Sequence, residues 1–126
     1  MALPHIKTDD KIRLVYTGDP SLNETAEGKH EWRAERPEDA RKGASVAILH
    51  PLGGTAMKQC AINADGNVEV GIIEKAKAAF LGFDGDARSK EEAFEAMPHT
   101  PRFMLGVAVD RVSGYARDPF GQRSCG

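Results

Sequence analysis

Half of the residues between Asp19 and Lys42 are charged, and this stretch constrains the fold more than any other part of the chain. Its seven acids (Asp19, Glu24, Glu27, Glu31, Glu35, Glu38, Asp39) and five bases (Lys29, Arg33, Arg36, Arg41, Lys42) leave Leu22 and Trp32 as the only large apolar side chains in 24 residues. Two such side chains bury too little area to offset the entropy of ordering the whole stretch. The expectation is a charged excursion over 19–45 that is mobile or lies on a partner. Within it, Pro37-Glu38-Asp39-Ala40-Arg41-Lys42-Gly43 predicts one or two helical turns. Proline stands at the first position, acids at the positive end, bases at the negative end, and glycine follows as the stop.

The elements around this segment are read from apolar periodicity. Ile12-Arg13-Leu14-Val15-Tyr16 predicts a strand that ends at the turn residues Gly18-Asp19-Pro20. Ser45–His50 predicts a second strand, Thr55–Ile62 a third and Val68-Glu69-Val70 a fourth. Asp65-Gly66 favours a turn in which both central residues have positive φ, as a tight hairpin requires. The three strands from 45 to 70 then form a meander. Farther on, Ile72, Ala76 and Phe80 share a helical stripe that Gly82 would end, in competition with a strand over Ala78–Phe83. Ser89-Lys90-Glu91-Glu92 matches a capping box for a helix that stops before Pro98. Phe103–Val109 predicts a buried strand, and 112–126, with three glycines and a proline, an irregular arm. The expected fold is α+β and β-leaning: one domain over 1–126 with a small antiparallel meander or barrel-like core, one or two short helices and extended arms.

Composition narrows the functional classes. The chain has 126 residues, one domain on a length prior of roughly 100–200 residues. Its 17 basic and 19 acidic residues give a net charge of -2, so no overall field favours nucleic acid. Two cysteines do not make a disulfide-dense scaffold. Cys60 reads as a buried thiol and Cys125 as a thiol in the tail; a bridge between them would need the tail to fold back. The opening residues Met1–Asp10 carry no apolar run of the signal-peptide kind, so the sequon Asn23-Glu24-Thr25 reads as chance. No stretch approaches the ~20 apolar residues of a membrane span.

Candidate chemistry is sparse. His5, His30, His50 and His99 form no metal-ligand pair, and a site of His50, Cys60 and His99 would have to assemble by tertiary folding. The oxygen side chains from Asn63 to Glu74 imitate a calcium loop, but Val68 stands where the sharp turn needs glycine. Cys60 or Ser45 with His50 as base lacks a local thiolate-stabilising group or a nucleophile elbow. Asp84, Asp86, Glu91 and Glu92 fit a solvated turn and helix start better than an acid–base pair. Gly53-Gly54-Thr55 misses the phosphate-loop spacing, and a strand is expected after it. Arg33, Arg36, Arg41 and Lys42 cluster near Trp32, but interleaved acids cancel the field that nucleic acid requires.

Two short segments, Lys42-Gly43-Ala44-Ser45-Val46 and Leu105-Gly106-Val107-Ala108-Val109, together with a helix-then-strand order from Ser89 to Val109, are similar to small tailed-phage virion proteins of the head-decoration (cement) type. The resembling pieces cover about a third of the chain. The resemblance implies no catalysis and no cofactor, and the ligand spacings above lead to the expectation of no metal. It implies an oligomer in the virion, assembled in the host cytoplasm, bound between major capsid or other shell subunits. Neither nucleic acid nor membrane is expected as a partner. Trp32, Arg33 and Arg36, with Tyr115, Arg117 and Phe120 in the tail, are the expected contact residues, since aromatics and arginine most often anchor interfaces. The competing reading of Trp32 and Phe120 is that they cover the domain's own core. The competing function is a small cytoplasmic enzyme or ligand-binding domain with a pocket near His50, Cys60 and His99.

Overall fold

Ile12–Tyr16 forms strand β1, with Arg13 exposed and the successive residues Leu14 and Val15 buried in separate clusters on opposite faces. The computed structural model describes residues 10–24 and 30–114. Strand β2 is Trp32–Ala34, helix α1 is Asp39–Lys42 and strand β3 is Val46–Leu49. Helices α2 (Gly54–Ala64) and α3 (Val68–Ala79) follow, then strand β4 (Phe80–Phe83) and helices α4 (Lys90–Ala96) and α5 (His99–Val112). The sheet has the order β2-β1-β3-β4, with every neighbouring pair antiparallel. Leu14, Trp32, Leu49 and Phe80 from the sheet meet Met57, Cys60, Ala76, Phe94, Leu105 and Val109 from the helices in one core.

The class is α+β with an antiparallel sheet, as the sequence predicts, but helix outweighs strand, at about 48% against 16% of the described residues. The meander does not form. Of its three strands only Val46–Leu49 is extended, while Thr55–Ile62 lies in α2 and Val68–Val70 opens α3. Met57, Cys60 and Ala64 are buried with exposed residues between them, so the spacing that decides is three and four rather than two. Asp65-Gly66 has the expected pair of positive φ angles, 48° and 84°, but it closes α2 and turns the chain into α3. Asn67 then caps α3, its side chain accepting a hydrogen bond from Val70 N at 3.1 Å.

Farther along, two competing expectations are each half realised. The helix ends at Ala79 and the strand begins at Phe80 with no loop between them. The Ser89 N-cap forms as read: Ser89 Oγ accepts from Glu92 N at 3.1 Å and donates to the Glu92 carboxylate at 3.2 Å, and α4 stops before Pro98. The buried strand over Phe103–Val109 is instead the centre of α5. A continuous apolar run does not distinguish the two states by itself. Leu105, Ala108, Val109 and Val112 recur at helical spacing on the buried face. Gly106 explains the close fit of α5 on α3, because a Cβ there would collide with the Ile72 carbonyl oxygen and lie 2.5 Å from Ile72 Cγ2.

The charged excursion is a correction too. Within it, β2 joins the sheet, Leu22 and Trp32 are buried, and α1 ends at Gly43 in the left-handed conformation, φ 75°. Residues 25–29 lie outside the described residues, as does the tail from Tyr115 onward.

The Gly106 contact sets a test of the helical layer. Gly106→Ala is expected to cost about 3 kcal/mol, the upper end of overpacking in a filled interior. Urea denaturation against the parent chain checks it, and an unchanged midpoint would contradict the α3–α5 approach.

Candidate functional site

Trp32 comes first among the expected contact residues, and the structure places it in the core at 3% exposure. The reading in which it covers the domain's own interior is the one realised. Its indole Nε1 donates to the Pro101 carbonyl at 2.9 Å, and Arg111 Nη2 donates to the Trp32 carbonyl at 2.9 Å. Both bonds tie β2 to α5. The Tyr16 ring lies against the indole with centroids 5.2 Å apart.

Arg33 projects from the same strand into a charged cluster. Its guanidinium donates to Glu24 at 2.7 and 3.0 Å and to Asp39 at 2.9 and 3.0 Å. Asp39 is fully buried and accepts a further bond from Arg36 N at 2.7 Å. A buried carboxylate persists only when it is paired and hydrogen-bonded in this way. The Arg33 guanidinium, helped by the Arg36 amide, holds the Asp39 carboxyl at about 2. The same guanidinium lowers Glu24, and Asp39 followed by Glu24 pushes Arg33 upward. Arg33 is therefore spent inside the domain. Arg36 reaches Glu24 at 3.5 Å and is about half exposed, so of these three residues it alone remains available to a partner. Tyr115, Arg117 and Phe120 lie outside the described residues.

The expected pocket of His50, Cys60 and His99 does not assemble. A groove of about 490 Å³ opens between α2, α3 and α4 and is lined by Cys60 but by neither histidine. Ala56, Cys60, Ala78, Phe80 and Phe94 line its apolar part, while Glu74, Lys77, Lys90, Glu91 and Glu95 are among its polar lining. His50 lies at the end of β3, with Nδ1 2.8 Å from the Pro51 carbonyl, and its backbone N–H donates to Ala79 O. His99 starts α5 and faces Glu69 at 3.3 Å on the surface. Burial, with Glu74 nearby, pushes the Cys60 thiol upward, away from the thiolate that nucleophilic chemistry needs. Cys125, its conceivable disulfide partner, is outside the described residues.

The other motifs resolve into structure. The calcium-like oxygens belong to the α2–α3 turn, where Asn63 donates to Glu74 at 3.4 Å and Asn67 caps a helix. Among the described residues no group of three or more His, Cys, Asp or Glu could hold a metal ion. A helix, not a strand, follows Gly53-Gly54-Thr55, and Gly53 is its N-cap. Asp84 pairs with Arg13 at 2.9 Å and Asp86 with Arg88, while Glu92 completes the Ser89 cap. Sequence reasoning missed the α2–α3 corner, where Ile62, Val68 and Val70 stand 60%, 77% and 41% exposed. In helical phase these residues fall off the buried stripe, a signal that reading the same stretch as strands concealed.

No protein-family model, curated protein or solved structure matches the chain. Of the segments that carry the decoration-protein resemblance, Lys42–Val46 does lead into a strand, whereas Leu105–Val109 is helical and the order from Ser89 to Val109 is helix–helix. No helix among the described residues is long and apolar enough to cross a membrane.

Two measurements follow from this geometry. Because Asp39 is held below its ordinary value of 3.8, folding favours its ionised form. That stability is present above the ordinary value and is lost as pH falls through about 2. Melting curves over this acid range should show a drop that Asp39→Asn, already less stable at neutral pH, lacks; identical acid profiles would contradict the pairing. In a Cys125→Ser background, Cys60 should react with a thiol reagent at least roughly tenfold more slowly in the native protein than in denaturant. Equal rates would show an accessible thiol.

Proposed function

We propose that the chain is a non-catalytic structural subunit of a virion, a capsid decoration protein that binds between shell subunits and associates with copies of itself. The observation that carries the reading is the exposed aliphatic corner of Ile62, Val68 and Val70. Three branched apolar side chains left exposed at the end of α2 and the start of α3 offer area that a partner would cover. Some polar side chains support the same view, since Arg33 and Lys75 are engaged by carboxylates within the domain. Contacts through the terminal segments, the β4 edge of the sheet and the half-exposed Arg36 extend this reading. The partners are major capsid or other shell subunits.

A second reading has one observation in its favour. The groove beside Cys60 has the volume of a small-molecule site, within the range of roughly 300–1,000 Å³. A ligand-binding domain would use that groove rather than the histidines.

Mass photometry and sedimentation of the purified chain test the assembly reading. The parent should self-associate as concentration rises, and Ile62→Ser/Val68→Ser should remain monomeric with an unchanged melting temperature. Mass spectrometry of purified virus particles should find the chain in stoichiometric amount. A parent that stays monomeric and is absent from particles would overturn the proposal.

A further inference from the structure

A sheet in the order β2-β1-β3-β4 has two edges, and an edge strand offers unpaired backbone groups to any strand that arrives. In an antiparallel pair, successive residues turn their N–H and C=O alternately toward the neighbour and away from it. At the β2 edge, Thr17 N donates to Glu31 O at 2.8 Å and Glu35 N to Arg13 O at 3.2 Å, with Val15 opposite Arg33 between them. The backbone groups of residues 31, 33 and 35 therefore face β1, and those of Trp32 and Ala34 face outward.

Both outward carbonyls are occupied by arginine. Arg111 Nη2, from the last turn of α5, donates to Trp32 O at 2.9 Å, and Arg33 Nη1 donates to Ala34 O at 3.0 Å. Neither guanidinium is a loose surface group. Arg33 is clamped by Glu24 and Asp39, and Arg111 sits on a helix already joined to β2 through the Trp32–Pro101 bond.

We propose that Arg33 and Arg111 close the β2 edge against strand addition. An incoming strand must bring its own N–H donors to the Trp32 and Ala34 carbonyls, where a guanidinium already takes one acceptor site of each oxygen and stands in the line of approach. Charge-assisted bonds are the stronger ones, so an ordinary amide does not displace them. The closure stands independently of the assembly reading. As a corollary that does rest on that reading, a strand contact with a shell partner is confined to β4.

Arg111→Met in the full chain tests the closure, because it keeps the aliphatic stem and removes the donors. Sedimentation velocity over a range of concentrations, beside the parent, should show an added association step with the weight-average mass rising toward twice the parent's. The double variant Ala34→Pro/Arg111→Met should return to the parent's behaviour. Proline there removes an outward N–H and breaks no bond to β1. Amide exchange at Trp32 and Ala34 in Arg111→Met should slow as concentration rises. Parent-like sedimentation of Arg111→Met, association that survives Ala34→Pro, or exchange independent of concentration would each overturn the proposal. All three readouts use the isolated chain, so their failure is separate from absence of the chain from virus particles.

Discussion

The fold depends on the anchoring of a charged segment by one buried indole and one buried carboxylate. Trp32 joins β2 to α5 through its ring N–H and its backbone carbonyl, at 2.9 Å each. Next to it, Arg33 gathers Glu24 and Asp39 into a compact ionic cluster. Without these contacts β1 would lose one of its two neighbours and α5 its tie to the far edge of the sheet. Breaking one partner of a buried pair leaves the other charge uncompensated, so the cluster acts as a lock even if its net contribution to stability is modest.

This arrangement explains why charge density was a poor guide to order. Twelve charges in 24 residues suggest a solvated excursion, because few apolar side chains are present to hold it. Glu24, Arg33, Arg36 and Asp39 are instead positioned to satisfy one another, and Leu22 and Trp32 supply the apolar anchors. Large aromatic side chains dominate burial energetics, which is how one can hold a short strand in place.

Local punctuation was legible in the sequence and long-range context was not. Ser89, Gly43, Pro98 and the Asp65-Gly66 turn behave as their residue types dictate, with caps, stops and positive φ angles in the expected places. What failed was the choice of period for the short apolar runs at 55–62 and 103–109. Both suit either state until it is known what they face, and packing against α3 selects helix for both. The candidate site suffered from the same error. With α2 read as a strand, Ile62 could not be seen to point away from Met57 and Cys60, and the exposed corner was hidden. Arg33 was singled out as a contact residue, and the partners that the structure gives it, Glu24 and Asp39, are within its own domain.

The charges of Arg33, Glu24 and Asp39 are used within the domain. The most direct check of this account is amide hydrogen exchange on the isolated chain, at a concentration where it is monomeric, across residues 31–43. Slow exchange at Arg33, Glu35 and Asp39, comparable with the centre of α5, is the predicted result. Exchange there at the rate of an unfolded peptide would mean that the segment is ordered only by a partner, and the internal lock would not exist.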